Sequence, residues 1–148
     1  MNLFNIRRTF LELRPKRNWN TIYWLIDVHG VIIPSSWKHT RTFEFITPDA
    51  KEVLQWLSRR MDQKIILWTS SYGKDVLPLF QWLSTCGILV DAFNNNPWEK
   101  NTEYADFSTK PYFNIVLEDK AGFEPETDWA AIKKELIDIG EWNKQIGD

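Results

Sequence analysis

The chain has 148 residues, 43% hydrophobic and 26% charged, with a formal net charge of −2. That length suits one domain with one core. The composition excludes a disordered chain, and the slight acidity argues against a dedicated nucleic-acid binder. The charge is uneven: within residues 1–20, Arg7, Arg8, Arg14, Lys16 and Arg17 stand against Glu12 alone, marking a basic N-terminal helical extension.

In chain order, apolar residues at 3, 4, 6, 10, 11 and 13 form a loose helical stripe, which Pro15 is expected to stop. Residues 22–26 read as a strand that is continuously apolar, as expected when both sheet faces are covered. Residues 37–46 alternate weakly and suit a short hairpin or flap, carrying Trp37, His39 and Arg41 as candidate leaving-group contacts. Thr47-Pro48-Asp49 is a helix start, with an N-cap hydroxyl, a proline in the first turn and an acid near the N-terminus. The helix after it carries Val53, Leu54, Trp56, Leu57 and Met61.

A strand over 64–68 follows, then a helix over 74–85 ended by Gly87. Residues 88–93 read as another strand, and a polar loop passes through Asn94-Asn95-Asn96-Pro97 to about residue 109. A strand over 113–117 and a last helix over 128–139 complete the chain, with Gly122 and Pro125 between them. Strands alternating with helices of this length give an α/β fold with a doubly wound, Rossmann-like parallel sheet flanked by helices, a single domain over 1–148.

Cys86 is the only cysteine, so no internal disulfide forms, and it reads as a half-buried packing thiol in a reducing compartment. No apolar run reaches bilayer length, and the N-terminal segment lacks a secretory h-region. A soluble, cytoplasmic protein without membrane partners is expected. Nine Trp and nine Phe are read chiefly as packing residues; whether any serve an oligomer interface stays open.

The chemistry is concentrated at strand ends. Asp27 closes the apolar run 22–26 and opens the turn Val28-His29-Gly30. A carboxylate at a buried strand's C-terminal tip, followed by a glycine that turns the backbone, is where an open α/β sheet places its site. Ile65-Ile66-Leu67-Trp68 runs into Thr69-Ser70-Ser71, and Asn114-Ile115-Val116-Leu117 runs into Glu118-Asp119, with Lys110 shortly before. Parallel strand tips converge on one crevice, so Asp27, Thr69 and Asp119 are expected to meet. A carboxylate nucleophile, a hydroxyl donor, a lysine and acidic metal ligands together suit phosphoryl transfer. Plainer roles stay open for each: a turn aspartate, a polar loop, a solvated lysine, a capping acidic pair. Asn94 and its neighbours suit either substrate contact or a turn.

The order of these pieces resembles the haloacid dehalogenase superfamily of phosphohydrolases. Its motifs are a strand ending in Asp-x-Asp-Gly, a strand ending in Thr or Ser, a Lys, and a strand ending in an acidic pair. The matching segments are Ile26-Asp27-Val28-His29-Gly30, Leu67-Trp68-Thr69-Ser70, Lys110 and Leu117-Glu118-Asp119, over roughly residues 22–130. The likeness is to the small, nearly capless bacterial and phage members. It implies that Asp27 is the nucleophile forming an aspartyl-phosphate, with Thr69 donating to the phosphoryl oxygens and Lys110 steadying both. It implies Ser70 and Asn94 near the substrate, and Mg²⁺ held by Asp27, Asp119, Glu118 and the residue 29 carbonyl. The substrate would be a small phosphomonoester, and a site so little covered would also admit a phosphorylated nucleic-acid end.

Two departures bear on catalysis. His29 stands where the family has its second Asp, the group that protonates the leaving group and then activates water; Val31 stands where it usually has Thr. Acid–base catalysis, passive replacement and substrate contact are all open for His29. The alternative function is therefore a binding or scaffold protein that kept the fold with weakened turnover. Asp27-Val28-His29-Gly30 also looks like the opening of calcineurin-type metallophosphoesterases, but those need more histidines than His29 and His39 supply.

Overall fold

The computed structural model describes residues 5–35 and 42–144. The proposed flap residues Trp37, His39 and Arg41 lie outside the described residues, and 42–46 form no strand. The N-terminal helix comprises α1 (Ile6–Arg8), a π-helical turn over Thr9–Leu13 and α2 (Arg14–Lys16). The helix ends at Lys16, one residue past the proline expected to stop it. The proline sits in the first turn of α2, just after the wider π turn, where its missing N–H falls at a junction and interrupts no regular ladder.

Four parallel strands, β1 (Ile22–Asp27), β2 (Gln63–Trp68), β3 (Ala92–Phe93) and β4 (Ile115–Leu117), form a sheet in the order β3-β2-β1-β4. Between and after them run α3 (Pro48–Arg59), α4 (Gly73–Thr85) and α5 (Pro125–Asp138). This is a Rossmann-like α/β fold, as the alternation of elements led us to expect.

α3 begins where the sequence placed it: the Thr47 hydroxyl accepts from Ala50 N at 3.2 Å, a cap worth about 1 kcal/mol. Met61 lies beyond the helix and is exposed, not part of its apolar face.

The two faces of the sheet are covered differently. On one, Ile22, Trp24 and Ile26 of β1 and Ile65 and Leu67 of β2 pack with residues of α3, α4 and α5 in the main core. On the other, Tyr23, Leu25 and Ile66 pack against Ala92, Tyr112 and Phe113, so the segment between β3 and β4 serves as cover.

β3 and β4 are shorter than expected because side chains replace part of their ladders. Asp91 exchanges two hydrogen bonds with Ile65, using its own N–H (2.9 Å) and its carboxylate (2.8 Å). Asn114 does the same with Tyr23, donating its N–H to the carbonyl (2.9 Å) and accepting Tyr23 N at its side-chain oxygen (2.7 Å).

At the opposite end from the strand tips, Arg60 is buried. It bridges Asp62 (2.8 Å) and Glu141 (3.1 Å), and Arg14 reaches the same Asp62 at 2.6 Å. Among the described residues, no helix is long and apolar enough to cross a membrane.

Candidate active site

The turn after β1 is built by its own backbone and braced from outside. Gly30 N donates to Ile33 O at 2.8 Å and Ile32 N to Val28 O at 2.9 Å. From α5, the indole N–H of buried Trp129 donates to Val31 O at 2.7 Å, fixing the turn to the helix layer. Gly30 has φ +80°, which L side chains resist. A Cβ built there would lie 2.8 Å from Asp119 Oδ2. The glycine thus admits both the turn and the close approach of the β4 tip.

That approach brings three acids together. One carboxylate oxygen each from Asp27, Glu118 and Asp119 lies within 4.8 Å of the others. Asp27 Oδ1 accepts from Val28 N at 2.9 Å, and Glu118 Oε2 accepts from Ala121 N at 2.8 Å, capping the short 3₁₀ turn Asp119–Ala121. Burial pushes the Asp27 carboxyl up to about 7 against the pull of the Val28 N–H, and the charges of Asp119 and Glu118 add to the rise. At Asp119 burial also works against the charge, but hydrogen bonding with Glu118, the Lys120 N–H and Asp27 outweighs it and holds this carboxyl below its usual value. Three hard oxygen donors in this arrangement fit Mg²⁺ or a similar divalent cation.

The raised Asp27 carboxyl sets a pH dependence. The folded state holds that proton more tightly than the unfolded chain. The resulting stabilisation is complete below the ordinary value of 3.8 and is lost as pH rises through about 7. In chelator, the thermal midpoint is expected to fall between about pH 5 and about pH 8, and the Asp27→Asn protein should show a flatter profile. A cation binding the same oxygens displaces the proton, so the midpoint gain on adding Mg²⁺ should grow with pH. Melting curves across that range, with and without the cation, check both statements.

Asp27 lines a cleft of about 520 Å³ together with Thr69, Ser70, Asn94 and Glu118. Thr69 Oγ1 accepts from Ser71 N and donates to Ser71 Oγ, both at 3.1 Å. Asn94, which suited either substrate contact or a turn, lines the cleft and also holds the neighbouring strand end. Its side-chain oxygen accepts Thr69 N at 2.8 Å and its amide donates to Thr69 O at 2.7 Å, so both ends of the carboxamide hold the β2 tip. At φ +56°, the left-handed backbone that asparagine tolerates, it extends β2's pairing beyond β3.

Two other candidates stand beside the Asp27 cleft. Lys110 is exposed and lines a neighbouring cleft of about 460 Å³ with Phe107, Pro111, Tyr112 and Phe113, not the Asp27 cleft. The lysine that does line the Asp27 cleft is Lys120, directly after the acidic pair. His29 is half-buried and lines a small adjoining cavity with Phe43, Thr69, Ser71 and Asp75, so it stands beside the cleft and not in its wall. Sequence reasoning passed over Lys120, Thr109 and Trp68, all of which line the cleft. The signals were present: a cation adjoining the acidic pair, and a tryptophan directly before the hydroxyl cluster.

No protein-family model matches the chain, and no curated protein matches it. Among solved structures it is similar to a conserved protein of Bacteroides thetaiotaomicron. The two are 25% identical with a TM-score of 0.57, and the match covers 85% of this chain and 100% of the other.

Proposed function

We propose that the chain is a Mg²⁺-dependent phosphomonoesterase of the haloacid dehalogenase type. The observation that carries this is the meeting of Asp27 with Glu118 and Asp119, in a cleft that Thr69 also lines. Asp27, Glu118 and Asp119 would hold the cation, which when bound neutralises phosphoryl charge and polarises the phosphorus.

In this scheme an Asp27 carboxylate oxygen attacks phosphorus, the bond to the ester oxygen breaks, and the alcohol leaves with a proton. Thr69 donates its hydroxyl to a phosphoryl oxygen, and Lys120 supplies positive charge from the cleft wall. Water then attacks the aspartyl-phosphate, releasing phosphate and restoring the Asp27 carboxylate. The test is hydrolysis of p-nitrophenyl phosphate and a panel of biological phosphomonoesters. Turnover that requires Mg²⁺ and stops in chelator is the expected result; no turnover across the panel overturns the proposal.

A second function, phosphate-ester binding with little turnover, draws on the position of His29. It lines the adjoining cavity and not the reaction cleft. Protonation of the leaving group then falls to solvent.

A further inference from the structure

We propose that Trp68 is a stacking platform for the leaving group, and that the substrate is a phosphomonoester carrying a planar conjugated ring, as in a nucleotide or an aryl phosphate. The proposal rests on the phosphatase function above for the phosphate and adds the identity of what the phosphate is attached to.

Trp68 is the last residue of β2 and the register partner of Asp27 on β1. Register partners in a parallel pair lie side by side, about 4.8 Å apart, with side chains on the same face. Both residues line the same cleft. The indole therefore shares the cleft with the reacting carboxylate, and a leaving group held in line beyond the phosphorus would extend through that cleft.

Its environment sets it apart from the other tryptophans. Among the described residues, every other one has a ring, a cation or a hydrogen bond for its side chain. Trp24 donates to Gln63 Oε1 at 2.7 Å in the core. Trp98 stacks on Tyr23 at 6.2 Å, with the Lys64 ammonium 4.9 Å from its centre. Trp68 has no such partner for its side chain among the described residues and is 36% exposed. It is the large apolar surface in a cleft otherwise lined by small polar and charged groups. A flat ring stacked on it would gain dispersion and desolvation energy. An aliphatic alcohol would gain little.

The experiment compares wild type, Trp68→Ala and Trp68→Phe, each checked for native circular dichroism. kcat/KM is measured for a nucleoside 5′-monophosphate, p-nitrophenyl phosphate and glycerol phosphate, and calorimetry follows binding of the nucleoside monophosphate in Mg²⁺. Trp68→Ala should lower kcat/KM on both ring-bearing esters by roughly ten- to a hundredfold, mostly through KM, and change glycerol phosphate by less than about threefold; Trp68→Phe should recover most of the loss. Equal loss on all three esters, or no loss on any, overturns the stacking role and leaves the phosphatase function standing. Calorimetric binding that weakens in Trp68→Ala without turnover of any ester overturns the phosphatase function and sustains the platform. Neither binding nor turnover overturns both.

Discussion

Asp27→Asn is expected to abolish phosphatase activity while making the protein more stable. The loss in kcat should exceed about 10³-fold, because deleting even one oxyanion donor in other enzymes costs about 10²–10³ and here the attacking atom itself is removed. The stability gain has a separate cause. Burial and two neighbouring carboxylates oppose ionisation of Asp27, so its negative charge strains the cation-free fold above about pH 7. A neutral carboxamide of the same shape relieves that strain. Kinetics with Mg²⁺ and melting curves in chelator near pH 8 test the two halves independently. A variant that loses activity and is also destabilised under those conditions would contradict this account of the acidic cluster.

His29→Asp is expected to raise kcat by roughly 10²-fold or more, the usual range of general acid–base assistance being about 10²–10⁴. A carboxyl at position 29 would stand two residues from Asp27, near an acidic group that favours keeping a proton on it. Turned from the adjoining cavity toward the cleft, with which it shares Thr69, such a carboxyl would protonate a departing alkoxide and then take the proton from attacking water. An imidazolium beside a bound divalent cation is disfavoured by like charge. The pH profile provides the check: the variant should acquire an alkaline limb, marking loss of the added acid, that the wild type lacks. A wild type already fast, and slowed by the change, would assign the acid's role to His29 and dispose of the weak-turnover alternative.

The parts of the fold carried by local chemistry were legible in the sequence. The continuously apolar 22–26 became β1, and the Thr47 hydroxyl and Pro48 marked the start of α3 because a cap and a proline act within one turn. The parts decided by distant partners were not. Residues 88–91 look like strand, but a single carboxylate, that of Asp91, does the pairing there, and only Ala92–Phe93 enter the ladder. Pro15 reads as a stop and the helix does end at Lys16, but the π turn before it left no mark in the sequence pattern.

At the candidate site, the convergence of Asp27, Thr69 and the acidic pair followed from topology alone, since parallel strand tips share an edge of the sheet. Which lysine enters the cleft depends on the path of an irregular loop, and residue types do not determine that path. Asn94 was legible as a cleft residue, but its bonds to Thr69 were not, because a carboxamide that mimics a peptide group looks the same in sequence as one that reaches a ligand.

The unequal cover of the sheet has a mechanical consequence. On the helix side, Trp129 of α5 ties the turn after Asp27 to the packed core through its bond to Val31 O. The side bearing Tyr23, Leu25 and Ile66 is roofed by a span with little regular structure, and Thr109 of that span forms part of the cleft wall. Local opening takes the least free energy where few cooperative bonds must break together. The Thr109 side of the cleft is therefore expected to open more readily than the Asp27 side, and amide hydrogen exchange should run faster over residues 94–114 than over β1.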